Sequence, residues 1–127
     1  MNRLTNTLEE LKNKSKKALV AYLVAGDPDI ETTLELMTVL VESGVDIIEI
    51  GVPFTDPIAE GPIIQKAHDR ALKNNVSLKS IFEMVEKFRK NDNDTPIVLM
   101  GYLNTFIFNK ALIEDNKNDV IDSVLVV

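Results

Sequence analysis

Apolar and polar residues follow two distinct patterns along this chain. Short, nearly continuous apolar runs are typical of strands covered on both faces, whereas amphipathic helices repeat apolar residues every three or four positions. The apolar runs occupy residues 18–24, 46–51, 97–100 and 123–127. Helical spacing is clearest in the set Ile30, Leu34, Met37, Leu40 and Val41. The pattern therefore predicts an α/β protein with four strands and intervening helices.

The ends of the predicted helices are marked by residues with special capping or backbone preferences. Asp29 is a predicted N-cap, and Gly44 is the predicted C′ residue that ends the same helix. Pro62 suits the first turn of the next helix, and Ser77 can cap the helix that follows it. Leucines at helical spacing predict a further, amphipathic helix near residues 3–14.

The repeated unit of strand, loop and helix suits right-handed crossovers in a parallel sheet. A doubly wound sheet and a (β/α)₈ barrel both accept this pattern, but no G-x-G-x-x-G follows the first strand, which disfavours the dinucleotide-binding version. We predict the (β/α)₈ TIM-barrel class. Because such a barrel takes about 250 residues, residues 1–127 are expected to form one partial domain, the N-terminal half. Poor helix formers make segment 105–122 the least regular, and one short helix is predicted there.

Composition restricts the partners and the chemistry. The net charge of −6 and the pI of about 4.8 argue against a nucleic-acid or anionic-membrane surface. The chain has no Cys and one His, so no disulfide or metal site is predicted. That residue, His68, stands beside Lys66, Asp69 and Arg70 and is expected at the surface. No apolar run approaches the ~18 residues of a spanning helix, so a cytoplasmic protein is expected.

Three carboxylates, one within the second predicted strand and two in the loop after it, are candidates for chemistry. Glu49 interrupts an apolar strand, and a carboxylate in an apolar environment gains a partner, becomes neutral or exchanges protons. It is therefore either a structural carboxylate bonded to backbone N–H groups or an acid/base catalyst. Asp56 and Glu60 follow in a loop over residues 52–61, where solvated acids are common. In a barrel, however, this loop lies at the catalytic end.

Three motifs together resemble the α subunit family of tryptophan synthase. They are Ala25–Pro28, Ile48–Pro62 with Gln65, and Ile97–Asn104. The resemblance implies a (β/α)₈ barrel that cleaves indole-3-glycerol phosphate to indole and glyceraldehyde 3-phosphate without a cofactor. It also implies an α2β2-type complex with a β subunit that receives indole, and pyridoxal phosphate would be bound only in that partner.

The resemblance also implies roles for individual residues. The family residue that matches Glu49 shuttles protons at the bond that breaks. Glu60 matches an Asp that stabilises positive charge on the indole nitrogen, and its extra methylene moves the carboxylate by about 1.5 Å, a displacement that can cost on the order of 10²-fold in rate. Tyr22, Met100 and Tyr102 match the pocket that packs around the indole ring.

The resemblance further assigns a partner surface and leaves one alternative open. Pro53, Asp56 and Asn104 match positions at or coupled to the β-subunit contact. The family's phosphate-binding loops follow later strands, so we expect no useful activity from this chain alone.

The alternative is a non-catalytic half-barrel that binds a β subunit or self-associates through the sheet edge at 123–127. Another phosphate-binding barrel, such as an epimerase or decarboxylase, would usually carry metal ligands or a Lys on these strands, and none is evident.

Overall fold

The computed structural model describes residues 2–116 and 119–127. All four predicted strands are present, and helices separate them as the pattern predicts. The elements, in chain order, are α1 (Arg3–Asn13), β1 (Val20–Val24), α2 (Ile30–Glu42), β2 (Ile47–Gly51), α3 (Pro62–Leu72), α4 (Leu78–Arg89), β3 (Ile97–Gly101), α5 (Leu103–Phe108), α6 (Lys110–Asp115) and β4 (Ser123–Val126).

The helix-end predictions are confirmed. The Asp29 carboxylate accepts the N–H of the residue three positions later at 2.7 Å, so it caps α2. Gly44, just beyond the end of that helix, has φ +100°, a conformation that L side chains rarely adopt. Pro62 is the first residue of α3, and Ser77 caps α4 in a reciprocal capping box with Ser80.

The strands form one parallel sheet in the order β1-β2-β3-β4. A doubly wound sheet needs a point at which the strand order reverses, and the four strands in the described part of the chain show none. With right-handed crossovers and sequential order, successive connections lie on the same side of the sheet, which is the arrangement of a barrel wall. The topology therefore favours the barrel over the doubly wound alternative.

One face of the sheet, here called the outer face, carries the main core. Ile48, Ile50, Ile97 and Leu99 are fully buried on it, and they belong to one cluster with residues of α2 and α4. The buried cluster residues of α2 and α4 are Met37, Leu78, Ile81, Phe82, Met84, Val85 and Phe88, and Phe106 of α5 also belongs to the cluster. Burial of each such apolar side chain stabilises the fold by about 1.5–3 kcal/mol. Packing on the outer face therefore stabilises the sheet.

The opposite, inner face carries the predicted site residues and is less covered. Tyr22, Glu49 and Val98 are in register across β1, β2 and β3, and all three are half-buried. Glu49 is thus only partly buried, although it interrupts an apolar strand. In a barrel the inner face is closed by the strands across from it, and here Ala67 and Ala71 of α3 pack against β1.

A buried ionic cluster closes the amino end of the sheet. The side chain of Asp122 has no solvent exposure and accepts hydrogen bonds from the Ile97 N–H at 2.9 Å and from Arg89 Nη2 at 3.2 Å. Arg3 Nη1 lies 3.3 Å from the other carboxylate oxygen. The cluster thus ties α1, α4 and β3 to the start of β4.

The segment before β4 differs from the prediction of one short helix within 105–122. Two short helices, α5 and α6, are separated by Asn109, and residues 117–118 of the predicted segment lie outside the described residues. Leu103, Ile107 and Phe108 of α5 are exposed. Nowhere in the described residues is there a helix with the length and apolarity needed to cross a membrane.

Candidate active site

The loop between β2 and α3 folds back so that Glu60, its last acidic residue, points toward the sheet. Gly61 is the N-cap of α3, and Gln65 in the first turn of that helix donates its side-chain N–H to the carbonyl of Glu60 at 2.9 Å. The same amide lies 3.4 Å from the carbonyl of Pro57. These bonds fix the loop to α3, which places Glu60 at the carboxyl end of β2.

Glu60 is a buried carboxylate, so its interpretation as a solvated loop acid is wrong. Its side chain is 6% exposed, and Oε2 accepts a hydrogen bond from the Tyr102 hydroxyl. The Tyr102 oxygen in turn accepts the Ala59 N–H at 3.0 Å, which leaves its own proton for Glu60. Burial, together with the Glu60 contact, raises the pKa of Tyr102, so this hydroxyl stays protonated and donates.

His68 is also buried, and its prediction as a surface residue is wrong. It is 1% exposed, Nδ1 accepts the Phe54 N–H at 3.0 Å, and Nε2 lies 3.8 Å from Glu60 Oε1. Burial lowers the pKa of His68 against the opposing effects of Glu60 and Asp69, so the ring is neutral near pH 7. A signal was present in the sequence, since His68 lies on the inward stripe of α3 with Ile64, Ala67 and Ala71.

Tyr22 places a further hydroxyl in this region. A Cβ on Gly51 would overlap the Tyr22 hydroxyl, so the glycine leaves space for that ring. Burial, then Glu60, then Glu49 raise the pKa of Tyr22, so its hydroxyl is protonated and lies within the electrostatic reach of both acids. The two candidate catalytic acids therefore share one polar region with Tyr22.

Three buried side-chain atoms in the described part of the chain lack a hydrogen-bond partner, and all three belong to this site. They are Tyr22 Oη, Glu60 Oε1 and His68 Nε2. Leaving a buried polar atom unpaired costs about 1–3 kcal/mol, and such atoms concentrate where a ligand or water binds. Glu60 is thus held by one oxygen and keeps the other available.

Aromatic and thioether side chains form the apolar part of the site. Tyr102 stacks on Phe54 with ring centroids 4.8 Å apart and an interplanar angle of 21°. Met100 lies in register with Gly51, and both are on the inner face that carries Glu49. The predicted catalytic and pocket residues therefore face one side of the sheet near its carboxyl end.

The predicted partner-binding residues border the aromatic side of this site. Asp56 and Asn104 are exposed and line one shallow groove, to which Tyr102 and Leu103 also contribute. Pro53 is buried at the start of the loop. Across residues 2–116 and 119–127, no group of three or more His, Asp and Glu side chains could hold a metal ion.

Comparison with known proteins places these features in a family. Residues 8–127 match the tryptophan synthase alpha chain family. The chain is 46% identical to the tryptophan synthase alpha chain of Nitrosomonas europaea and 50% identical to that of Hydrogenovibrio crunogenus, over all of its own length and 47% of each relative. It thus spans about half the length of the curated relatives it matches.

Solved structures agree with the sequence comparison. The crystal structure of tryptophan synthase subunit alpha from Legionella pneumophila str. Paris superimposes with a TM-score of 0.95 at 45% identity, over 100% of this chain and 49% of that one. A chain of the tryptophan synthase complex from Pyrococcus furiosus gives a TM-score of 0.78 at 42% identity, over 87% of this chain and 46% of that one. The chain therefore belongs to the tryptophan synthase alpha chain family, and its four parallel strands correspond to half of that family's TIM barrel.

Proposed function

We propose that this chain supplies the acid/base half of a lyase site that cleaves indole-3-glycerol phosphate to indole and glyceraldehyde 3-phosphate. The observation that carries the proposal is the buried Glu60 carboxylate, which is held through one oxygen and open at the other. It lies beside aromatic walls and within electrostatic reach of Tyr22, which also faces Glu49. The reaction is proposed from family membership, and the site contains carboxylates and aromatic side chains that suit this reaction.

Glu49 is the proposed proton-transfer residue. Cleavage breaks the bond between C3 of the indole ring and the hydroxyl-bearing carbon next to it. The protonated Glu49 gives its proton to C3, and the resulting carboxylate then takes the hydroxyl proton while the O–H electron pair forms the aldehyde. The C–C electron pair returns to the ring, so one residue gives and regains one proton.

Glu60 is the proposed electrostatic partner of the ring nitrogen. Protonation of C3 places positive charge on that nitrogen, and a fixed carboxylate nearby stabilises this charge in a water-poor site. Glu60 Oε1 has no protein partner in the described residues and can accept the indole N–H. Tyr22, Met100 and Tyr102 supply the flat, polarizable walls that an indole ring prefers.

The β subunit of tryptophan synthase is the proposed partner, and pyridoxal phosphate is proposed to belong to it alone. The Pyrococcus furiosus relative belongs to a tryptophan synthase complex. Exposed Asp56 and Asn104 line one groove beside the site, where such a partner could contact the loop. In barrels the phosphate site is frequently built by loops after strands 7 and 8, so these 127 residues are proposed to be inactive by themselves.

A second candidate function is a non-catalytic half-barrel that associates with itself or with a β subunit. Exposed apolar residues on and after β4, Val124, Leu125, Val126 and Val127, favour this alternative. It requires no turnover from the acidic site.

Indole release separates the two functions. The assay compares the chain alone, the chain with a β subunit, and a chimera in which the Legionella pneumophila alpha chain supplies the other half of the barrel. We expect turnover from the chimera and none from the chain alone. A chimera that folds and binds a β subunit without releasing indole would favour the non-catalytic alternative, and turnover by the chain alone would contradict its proposed dependence on the other half.

A further inference from the structure

We propose that His68 is a positioning residue for Glu60, and that a main-chain N–H of the acidic loop sets its tautomer so that Nε2–H faces the free carboxylate oxygen. The proposal rests on the proposed function of Glu60 and adds a residue to it. The contacts that support it are the Phe54–His68 hydrogen bond and the 3.8 Å approach of His68 Nε2 to Glu60 Oε1.

The tautomer follows from the first contact. A main-chain N–H can only donate, so His68 Nδ1, which accepts the Phe54 N–H at 3.0 Å, carries no proton. The neutral ring must then carry its proton on Nε2. Nε2 is buried and lies 3.8 Å from Glu60 Oε1, and neither atom has a hydrogen-bond partner among the described residues.

The second donor to Glu60 is oriented in the same way. Tyr102 accepts the Ala59 N–H at 3.0 Å, and its own proton points to Glu60 Oε2. Phe54 and Ala59 both belong to the loop, and Phe54 also stacks on Tyr102. One loop therefore directs two proton donors, Tyr102 and His68, to the two oxygens of one carboxylate.

The long distance between His68 Nε2 and Glu60 Oε1 is consistent with a positioning role. At 3.8 Å the two atoms are beyond hydrogen-bonding distance, so Oε1 is not yet committed to a protein donor. Catalytic hydrogen bonds are often long before substrate binds and shorten afterwards. The neutral Nε2–H of His68 can thus orient Glu60 Oε1 while a substrate N–H binds to that oxygen. Because the ring is neutral, this contact introduces no positive charge.

A purely structural role would require only that His68 fill space and accept the Phe54 N–H. The positioning role also requires a donor at the Nε2 position. His68→Gln retains an N–H near that position, whereas His68→Met has similar length and no donor. This pair of variants therefore separates packing from hydrogen bonding.

The first test is independent of catalysis and uses the 127-residue chain. Because it has a single histidine, ¹⁵N-histidine labelling gives one pair of ring-nitrogen signals. We expect the Nε2–H tautomer, and we expect Glu60→Gln to lower the pKa of His68, since Glu60 raises it. Glu83→Gln, at an exposed position on α4, is the control and should leave that pKa unchanged. An Nδ1–H tautomer, or a pKa that ignores Glu60→Gln, would overturn the proposal.

The second test measures indole release by the chimera with a β subunit. We expect His68→Met to lower kcat about 10-fold, on the scale of positioning losses, with little change in KM, and His68→Gln to restore most of the rate. Equal rates for the two variants would overturn the positioning role. If the parent chimera itself is inactive, the proposed function fails, and the nuclear magnetic resonance test still decides whether His68 and Glu60 are coupled.

Discussion

Glu60 is the residue whose interpretation the structure changes most. From its sequence position, the extra methylene relative to Asp predicts a misplaced carboxylate. In the fold, the Tyr102 hydroxyl donates to Glu60 Oε2, and the Ala59 N–H of the loop donates to the Tyr102 oxygen. The longer Glu side chain therefore reaches a hydrogen-bond partner in this fold.

We predict that Glu60→Asp lowers indole release by the chimera. Shortening the side chain withdraws the carboxylate by about 1.5 Å from Tyr102, and misplacement on this scale costs on the order of 10²-fold in rate. Steady-state kinetics of the chimera with a β subunit measure the change, with Glu83→Gln as the control. A faster Glu60→Asp enzyme would instead support the misplacement that the sequence predicts for Glu60.

His68 makes a second prediction, on stability against pH. Burial lowers its pKa in the folded state, so below about pH 6.5 the unfolded chain binds a proton that the folded chain does not. Stability should therefore fall as pH decreases through this range, by no more than about 1.4 kcal/mol per pH unit for one proton.

Urea denaturation at pH 7.5 and at pH 5.5 measures this effect. Other groups titrate as well, so the comparison is between the parent chain and His68→Gln. The loss of unfolding free energy between the two pH values should be smaller in the variant. An equal loss would mean that His68 binds protons alike in both states.

The helices and strands differ in how far the sequence predicts them. Caps such as Asp29 and Ser77 act on residues three positions away, so local sequence was enough to place the helix ends. The burial of His68 depends on how α3 docks on β1, and immediate neighbours such as Lys66 and Asp69 carry no information about that. The helical stripe through His68 does, and it was a usable signal.

The buried cluster around Asp122 could not be predicted from the sequence, for a related reason. Its partners Arg3, Arg89 and Ile97 come from distant parts of the chain, and only the fold brings them together. Burial of Arg89, with the nearby Arg3, lowers the pKa of its guanidinium, and Asp122 opposes this shift. The cluster lies at the amino end of the sheet, which in barrels serves stability more than catalysis.

We predict that Asp122→Ala lowers the free energy of unfolding by about 3–5 kcal/mol, the usual cost of removing one partner from a buried ion pair. Asp119→Asn is the control, because Asp119 contacts the same Arg3 at 3.6 Å with 74% of its side chain exposed, and Asn tolerates the positive φ of +50° at this position. It should cost no more than about 1 kcal/mol. Chemical denaturation measures both, and equal losses would show that burial of Asp122 adds nothing.

The sheet as a unit has two open edges, β1 and β4, in the described chain. Exposed Val20 on β1 and exposed Leu125 on β4 lie at these edges. Parallel edges with apolar side chains pair readily with other strands. We predict that the isolated chain associates reversibly and that Leu125→Lys weakens the association.

Sedimentation equilibrium over a range of protein concentrations tests the association. Glu83→Gln, on the exposed surface of α4, is the control, because it changes the net charge by the same one positive unit as Leu125→Lys. A chain that stays monomeric at every concentration, or one whose association is insensitive to Leu125→Lys, would contradict this account of the edges.

The acid/base role of Glu49 is the central claim, and one rate tests it most directly. The measurement is indole release from indole-3-glycerol phosphate by the chimera with a β subunit, compared between the parent and Glu49→Gln. Gln keeps the shape of the side chain but cannot exchange the proton, so kcat should fall by at least about 10²-fold while the fold and the β-subunit affinity are retained. A Glu49→Gln chimera that releases indole at the parental rate would contradict the account.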